Sequence, residues 1–126
     1  MSIDVATLVR ELAADRGGGE VEGMLVVGLD GEGQMCGVAV NPRHGALSFV
    51  KVWELSALAD ELEASSLVVA LFPNGGADAP SEHEVSAFTD LCARAHRAQV
   101  VLADCLVVRG GRTWSMRELS AEHRGA

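Results

Sequence analysis

"LFPNGGADAPSEHEV", Leu71–Val85, closes an apolar run and opens a polar, helix-like one. The run before it, "LVVALF" (67–72), is continuously apolar, as in a central strand buried on both faces. After it, residues 82–97 repeat apolar side chains at helical spacing, with Val85, Phe88, Leu91, Cys92 and Ala95 on one face. A buried strand delivered into an amphipathic helix is the joint of an α/β domain. Ser81-x-x-Glu84 at that joint has two readings. It is a capping box, in which the Ser81 hydroxyl accepts from the Glu84 N–H and the Glu84 carboxylate returns to the Ser81 N–H, or it is part of a metal site. The connection "FPNGGADAP" (72–80) is long for a strand-to-helix loop. Phe72, Pro73, Asn74 and Asp78 are its candidate pocket residues. With no charged ligand set in it, mobility or partner contact suits the loop better than chemistry.

On the N-terminal side, "MLVVGLD" (24–30) and "QMCGVAV" (34–40) read as strands of an antiparallel hairpin across a "GEG" turn. "ALSFV" (46–50) reads as a third strand after the loop "NPRHG". Residues 53–63 form a helix with Leu55, Leu58, Ala59 and Leu62 inward. On the C-terminal side, "QVVLADCLVVRG" (99–110) is a strand bent at Asp104, and "RTWSMREL" (112–119) closes the sheet after a Gly110-Gly111 turn. Residues 120–126 read as a frayed tail. At the start of the chain, residues 4–16 are an amphipathic helix with Asp4 as N-cap and Val5, Leu8, Val9 and Leu12 on one side. Gly17, Gly18 and Gly19 end it and make a joint, so that 1–19 is a helix with its Gly joint and 24–119 the core. This helix packs on the domain or forms a partner-binding arm; the sequence leaves both open. The expected fold is a single α/β domain of 126 residues: a mixed sheet of about six strands, two core helices and the N-terminal helix.

The formal charge is −8, which argues against general nucleic-acid binding. The charge is uneven. Residues 1–90 carry 15 acids and 4 bases, whereas residues 91–126 carry 3 acids and 6 bases, a net of +3. Cys36, Cys92 and Cys105 are far apart, odd in number and without a C-x-x-C, so reduced thiols in a cytoplasm are expected rather than a disulfide scaffold or a zinc ribbon. The N-terminus does not read as a signal peptide. No apolar run approaches the roughly 20 residues that span a bilayer.

The order of these segments resembles the RadC-like, bacterial-type branch of the JAB/MPN metalloprotease superfamily, from about Met24 to Leu119. In that family a buried strand delivers a His-x-His pair, Pro-Ser-x-x-Asp opens the next helix, a later strand carries Asp-His, and the last strand ends near Ser-x-Arg-Glu. Here "LVVALFPNGG", "APSEHEV", "LADCLVV" and "WSMREL" occupy those places, and "FVKVWEL" resembles the segment before the first core helix, with Glu54 matching an acid there. The resemblance implies a zinc held by two histidines and an aspartate, with a hairpin glutamate as general base on the bound water. The residues depart from that set. Leu71 and Pro73, or Ala70 and Phe72 in the other alignment, replace the histidines; Glu84 replaces the aspartate; and "QMCGVAV" has no glutamate. Ser81 alone is unchanged. The expectation is therefore a catalytically inactive JAB/MPN-like domain, with no catalytic residue, metal or cofactor, that acts as a protein-binding scaffold or regulatory subunit. The alternatives are a zinc protease or isopeptidase with other ligands, and a small-molecule-binding α/β domain.

Other chemistry-bearing residues are weaker. His83, His44 and His96 have no i, i+4 partner of the kind a helical zinc site uses. Cys36, Cys105 and His44 form a ligand set only if the fold brings them together. Cys105, between Val101, Leu102, Leu106 and Val107, reads as a buried inert thiol rather than a nucleophile. "GLDGEG" (28–33) is too short and acidic to cradle phosphate and reads as a turn. Trp114 shares a strand face with Arg112, and Arg117 follows. These three form either an interaction surface for a protein partner or second copy, or part of the core.

Overall fold

The computed structural model describes residues 23–41, 50–72, 79–109 and 112–124. In chain order these form β1 (Gly23–Leu29), β2 (Met35–Asn41), α1 (Val52–Glu61), β3 (Ser66–Phe72), α2 (Glu82–Arg97), β4 (Leu102–Arg109), β5 (Arg112–Ser115) and α3 (Met116–Arg124). The strands make one mixed sheet in the order β2-β1-β3-β4-β5. β1 pairs antiparallel with both β2 and β3, β3 runs parallel to β4, and β5 returns antiparallel on β4. The apolar run 67–72 is thus the middle strand of the five, and α2 is the crossover between the two parallel strands.

Local chemistry explains the joints. In the β1–β2 turn the Asp30 Oδ1 accepts from the backbone N–H of Glu32 and of Gln34, both at 2.9 Å, and Gly33 takes a φ of 79° that favours glycine. Gly28 and Gly37 face each other across that hairpin, and a Cβ on Gly28 would lie 3.0 Å from the Ala64 Cβ and 3.2 Å from the Leu62 Cβ. The turn after α1 therefore sits directly on the strand backbone. At the end of α2, Gln99 adopts a φ of 64° while the Val100 N–H donates to the Ala95 carbonyl at 2.9 Å, which closes the helix with a left-handed residue. These closing residues explain why β4 begins at Leu102 rather than at residue 99. The register between β3 and β4 slips at Ala103, one residue before the expected bend.

The main core lies between the sheet and its helices. Leu55 of α1, Val85, Phe88, Leu91 and Ala95 of α2, and Met116 of α3 are buried against alternate residues of β1, β3 and β4. Burying one leucine such as Leu55, which is fully enclosed, contributes about 1.5–3 kcal/mol. The other sheet face carries a second apolar cluster, Leu25, Val27, Val68, Ala70 and Leu106.

The C-terminal end corrects the sequence reading. The strand expected over 112–119 stops at Ser115, and residues 116–124, including most of the expected frayed tail, are helical. Met116 is buried, Leu119 packs on the main core, and the Thr89 and Ser120 hydroxyls lie 3.4 Å apart between α2 and α3. Among the described residues, three helices rather than the expected two core helices therefore pack on the sheet. The described sheet has five strands. Residues 46–49 of the expected third strand lie outside the described residues, and Val50 is buried without belonging to a strand. The expected N-terminal helix (4–16) and its Gly17–Gly19 joint also lie outside them.

Candidate functional site

The carboxyl ends of the parallel strands β3 and β4 open beside the N-terminus of α2, the usual place for a site in an open α/β sheet. Ser81 has extended backbone angles and caps α2: its Oγ accepts from the Glu84 N–H at 3.2 Å, and the Glu84 Oε1 accepts from the Ser81 N–H at 3.5 Å. Glu82 and Glu84 in the first turn complement the positive end of the helix dipole. The second Glu84 oxygen, Oε2, receives the guanidinium of Arg109 at 3.2 Å from the end of β4. One carboxylate thus joins the helix start to the far end of the neighbouring strand. Replacing Ser81 with alanine is expected to lower stability by about 1 kcal/mol through loss of the cap. Chemical denaturation reads this as a lower midpoint at constant slope; an unshifted midpoint would show that the cap contributes nothing.

Sequence reasoning did not single out Arg109. Its position at the strand end opposite Glu84 becomes visible only once β4 is known to run parallel to β3. Phe72, at the end of β3, is partly buried with the second cluster, on the face opposite the described helices. Pro73, Asn74 and Asp78 of the candidate pocket loop lie outside the described residues.

The residues here do not fit the zinc site that the resemblance implies. Leu71 is buried in the main core, and Glu84 is engaged by Ser81 and Arg109. Burial first, and then the neighbouring Asp104 carboxylate, holds the Cys105 thiol far above its ordinary range. Metal ligation and nucleophilic attack both need the thiolate. Cys36 is exposed on the edge strand β2, separated from β4 by β1 and β3, so it does not converge with Cys105. His83 and His96 are exposed on α2, and His44 lies outside the described residues. Among the described residues no group of three or more His, Cys, Asp or Glu side chains could hold a metal ion. No described helix is long and apolar enough to cross a membrane.

A second constellation lies on the edge strand β5. The Arg112 guanidinium sits over the Trp114 ring, 5.3 Å from its centroid, a cation–π contact. Their register partners on β4 are Arg109 and Val107, and Val107 belongs to the helix-side core. Trp114 is half-buried and Arg112 exposed on that side. Arg117 does not share their strand, contrary to the sequence reading. It sits in the first turn of α3, exposed, with its backbone N–H donating to Asp104. Trp53 on α1 was not singled out either, yet it is 68% exposed. The signal was present, because the inward set Leu55, Leu58, Ala59 and Leu62 leaves position 53 on the other side of the helix.

Set against models of known protein families and against the curated proteins, the chain matches none at a significant level.

Proposed function

We propose that this chain is a catalytically inactive domain of the RadC-like JAB/MPN type, and that its work is protein binding as a scaffold or regulatory subunit. The observation that carries this reading is the engagement of Glu84. The carboxylate at the family's aspartate position caps α2 through Ser81 and pairs with Arg109, so it stabilises the fold instead of ligating a metal. The apolar end of β3 and the protonated, enclosed Cys105 support the same reading. In this reading the protein is bacterial-type and works in a cytoplasm with its thiols reduced. Its contact surface is the β5 edge with Arg112 and Trp114, and Arg117 nearby on α3, facing an acidic partner or a second copy of the chain.

The test is elemental analysis of protein purified without a chelator or an affinity tag, beside an isopeptidase assay. The expected outcome is no stoichiometric zinc and no cleavage. About one zinc per chain, with cleavage that a chelator abolishes, would instead establish a metalloprotease with ligands of another kind. Zinc without activity would likewise defeat the reading of Glu84 as a purely structural carboxylate.

A further inference from the structure

The two edges of the described sheet differ. β5 is four residues long, carries Arg112 and runs straight into α3. β2, at the opposite edge, is seven residues long and reads MCGVAVN, with no charge and no proline. Short length, charge and proline are devices that keep a sheet edge from pairing with another chain, and β2 has none of them. Its irregularity sits near one end. The register with β1 passes from Gly28↔Gly37 to Leu29↔Met35, which leaves Cys36 as the extra residue of a β-bulge. Cys36 turns to the helix side, where its Sγ donates to the Leu62 carbonyl at 3.5 Å. Gly37 faces the same way, since a Cβ there would lie 2.7 Å from the Leu62 Cδ2. Residues 37–41 are the five left in regular alternation. Within them Ala39 packs on the main core, and Val38, paired with Val27, is on the opposite face. Val38 is 40% exposed. Of the exposed large apolar side chains among the described residues (Val38, Trp53 and Val101), it is the one that lies in a strand.

We propose that residues 37–41 pair antiparallel with the same five residues of a second copy of the chain, about a two-fold axis at Ala39. An antiparallel strand paired with itself is self-complementary, which is what a closed two-fold dimer requires. In this register Ala39 opposes Ala39 of the second copy, Val38 opposes Val40 and Gly37 opposes Asn41. Every opposed pair then falls on one face of a continuous sheet, with the helices of both copies on the same side. A register centred on Val38 would instead set the bulged Cys36 against Val40, where the alternation is broken. Charge selects a second copy at this edge. Two chains of formal charge −8 repel one another, and β2 is a stretch where they meet without a charge on either strand. Five paired residues bury less surface than a standard interface, so the dimer is weak and concentration-dependent. The pairing leaves β5, at the other edge, open to its own contact, and it is independent of the JAB/MPN reading.

The experiment is a dilution series of the full chain followed by sedimentation, with NMR on a mixture of differently labelled chains at the concentrated end. The mass is expected to rise with concentration, and contacts between backbone protons of differently labelled chains are expected within residues 37–41, with residue 38 against residue 40. A monomer at every concentration would overturn the proposal, and so would a dimer whose cross-chain contacts lie elsewhere. Val38→Lys places a charge on an exposed position of the edge and is expected to raise the dissociation constant about tenfold or more. Its unfolding midpoint, measured at a dilution where the chain is monomeric, is the control for folding. A folded Val38→Lys variant that dimerises as the wild type does would also overturn it.

Discussion

Asp104→Ala is expected to lower stability by about 3 kcal/mol and to loosen α3 ahead of the rest of the molecule. This carboxylate holds three separate groups. Its Oδ1 accepts from the N–H of Cys105 at 2.7 Å and of Arg117 at 3.0 Å, and its Oδ2 accepts from the Ser115 hydroxyl at 2.6 Å. The Ser115 Oγ in turn accepts from the Glu118 N–H at 3.2 Å. The first-turn donors of α3 are thus satisfied by one serine and by one aspartate reaching over from β4. A negative charge at that helix end also complements the helix dipole. Hydrogen bonds to charged groups contribute about 1.5–3 kcal/mol each when buried, and partial exposure here brings the sum down, because water replaces some of them. Asp104→Asn keeps one acceptor oxygen and is expected to cost less than half as much. The effects of Asp104 and Ser115 substitutions will not add, since both act on the same donors. Denaturation with hydrogen exchange resolved along α3 measures this. A wild-type midpoint for Asp104→Ala, or loss of protection spread evenly over the molecule, would remove Asp104 from its role as the anchor of α3.

That anchor marks where the sequence stopped being legible. The central strand, the hairpin and the inward faces of α1 and α2 follow from apolar periodicity, because burial on both faces or on one stripe leaves a strong local pattern. The start of α2 follows from Ser81 and Glu84. The same Ser-x-x-Glu signature recurs at Ser115 and Glu118, where it starts α3, but the alternation in "RTWSMREL" suggested that the strand continued. Only the nonlocal bonds to Asp104 decide between the two. Two further features depend on chain placement that no local pattern encodes: the pairing of Glu84 with Arg109, which needs β3 and β4 side by side, and the separation of Arg117 from Trp114. The turn at Gln99 was illegible for a different reason. It uses a left-handed residue that is not glycine, so although the helix end at 97 was legible, nothing signalled that the strand would start at Leu102 instead of 99.

The second large effect concerns association. Trp114→Ala is expected to weaken binding of the proposed acidic partner or second copy by about 2–4 kcal/mol, roughly a 30- to 1,000-fold loss of affinity. β5 is an edge strand, but it is only four residues long, so backbone pairing along it is limited. The affinity must then rest on side chains. Arg112, held over the Trp114 ring, is exposed, and exposed ion pairs contribute at most about 1 kcal/mol each. In the proposed contact the aromatic is therefore expected to be the dominant anchor, with Arg112 and Arg117 setting orientation and salt dependence. In a homodimer the facing surface is α1 with the turn after it, where Glu54, Asp60, Glu61 and Glu63 supply negative charge and Trp53 supplies a second exposed aromatic. This geometry is heterologous unless both patches of each copy engage at once, so a closed dimer needs two such contacts related by a two-fold axis. Light scattering of the wild type, of Trp114→Ala and of Trp53→Phe gives the mass of each. Quenching of Trp114 has to be read in the Trp53→Phe background, because Trp53 is accessible in the monomer and would mask it. A dimer that Trp114→Ala dissolves without unfolding, and that added salt weakens, supports the surface. A monomer at every concentration, in which Trp114→Ala lowers stability and changes binding to nothing, would make Trp114 a packing residue on the flank of the main core and would move the contact surface away from β5.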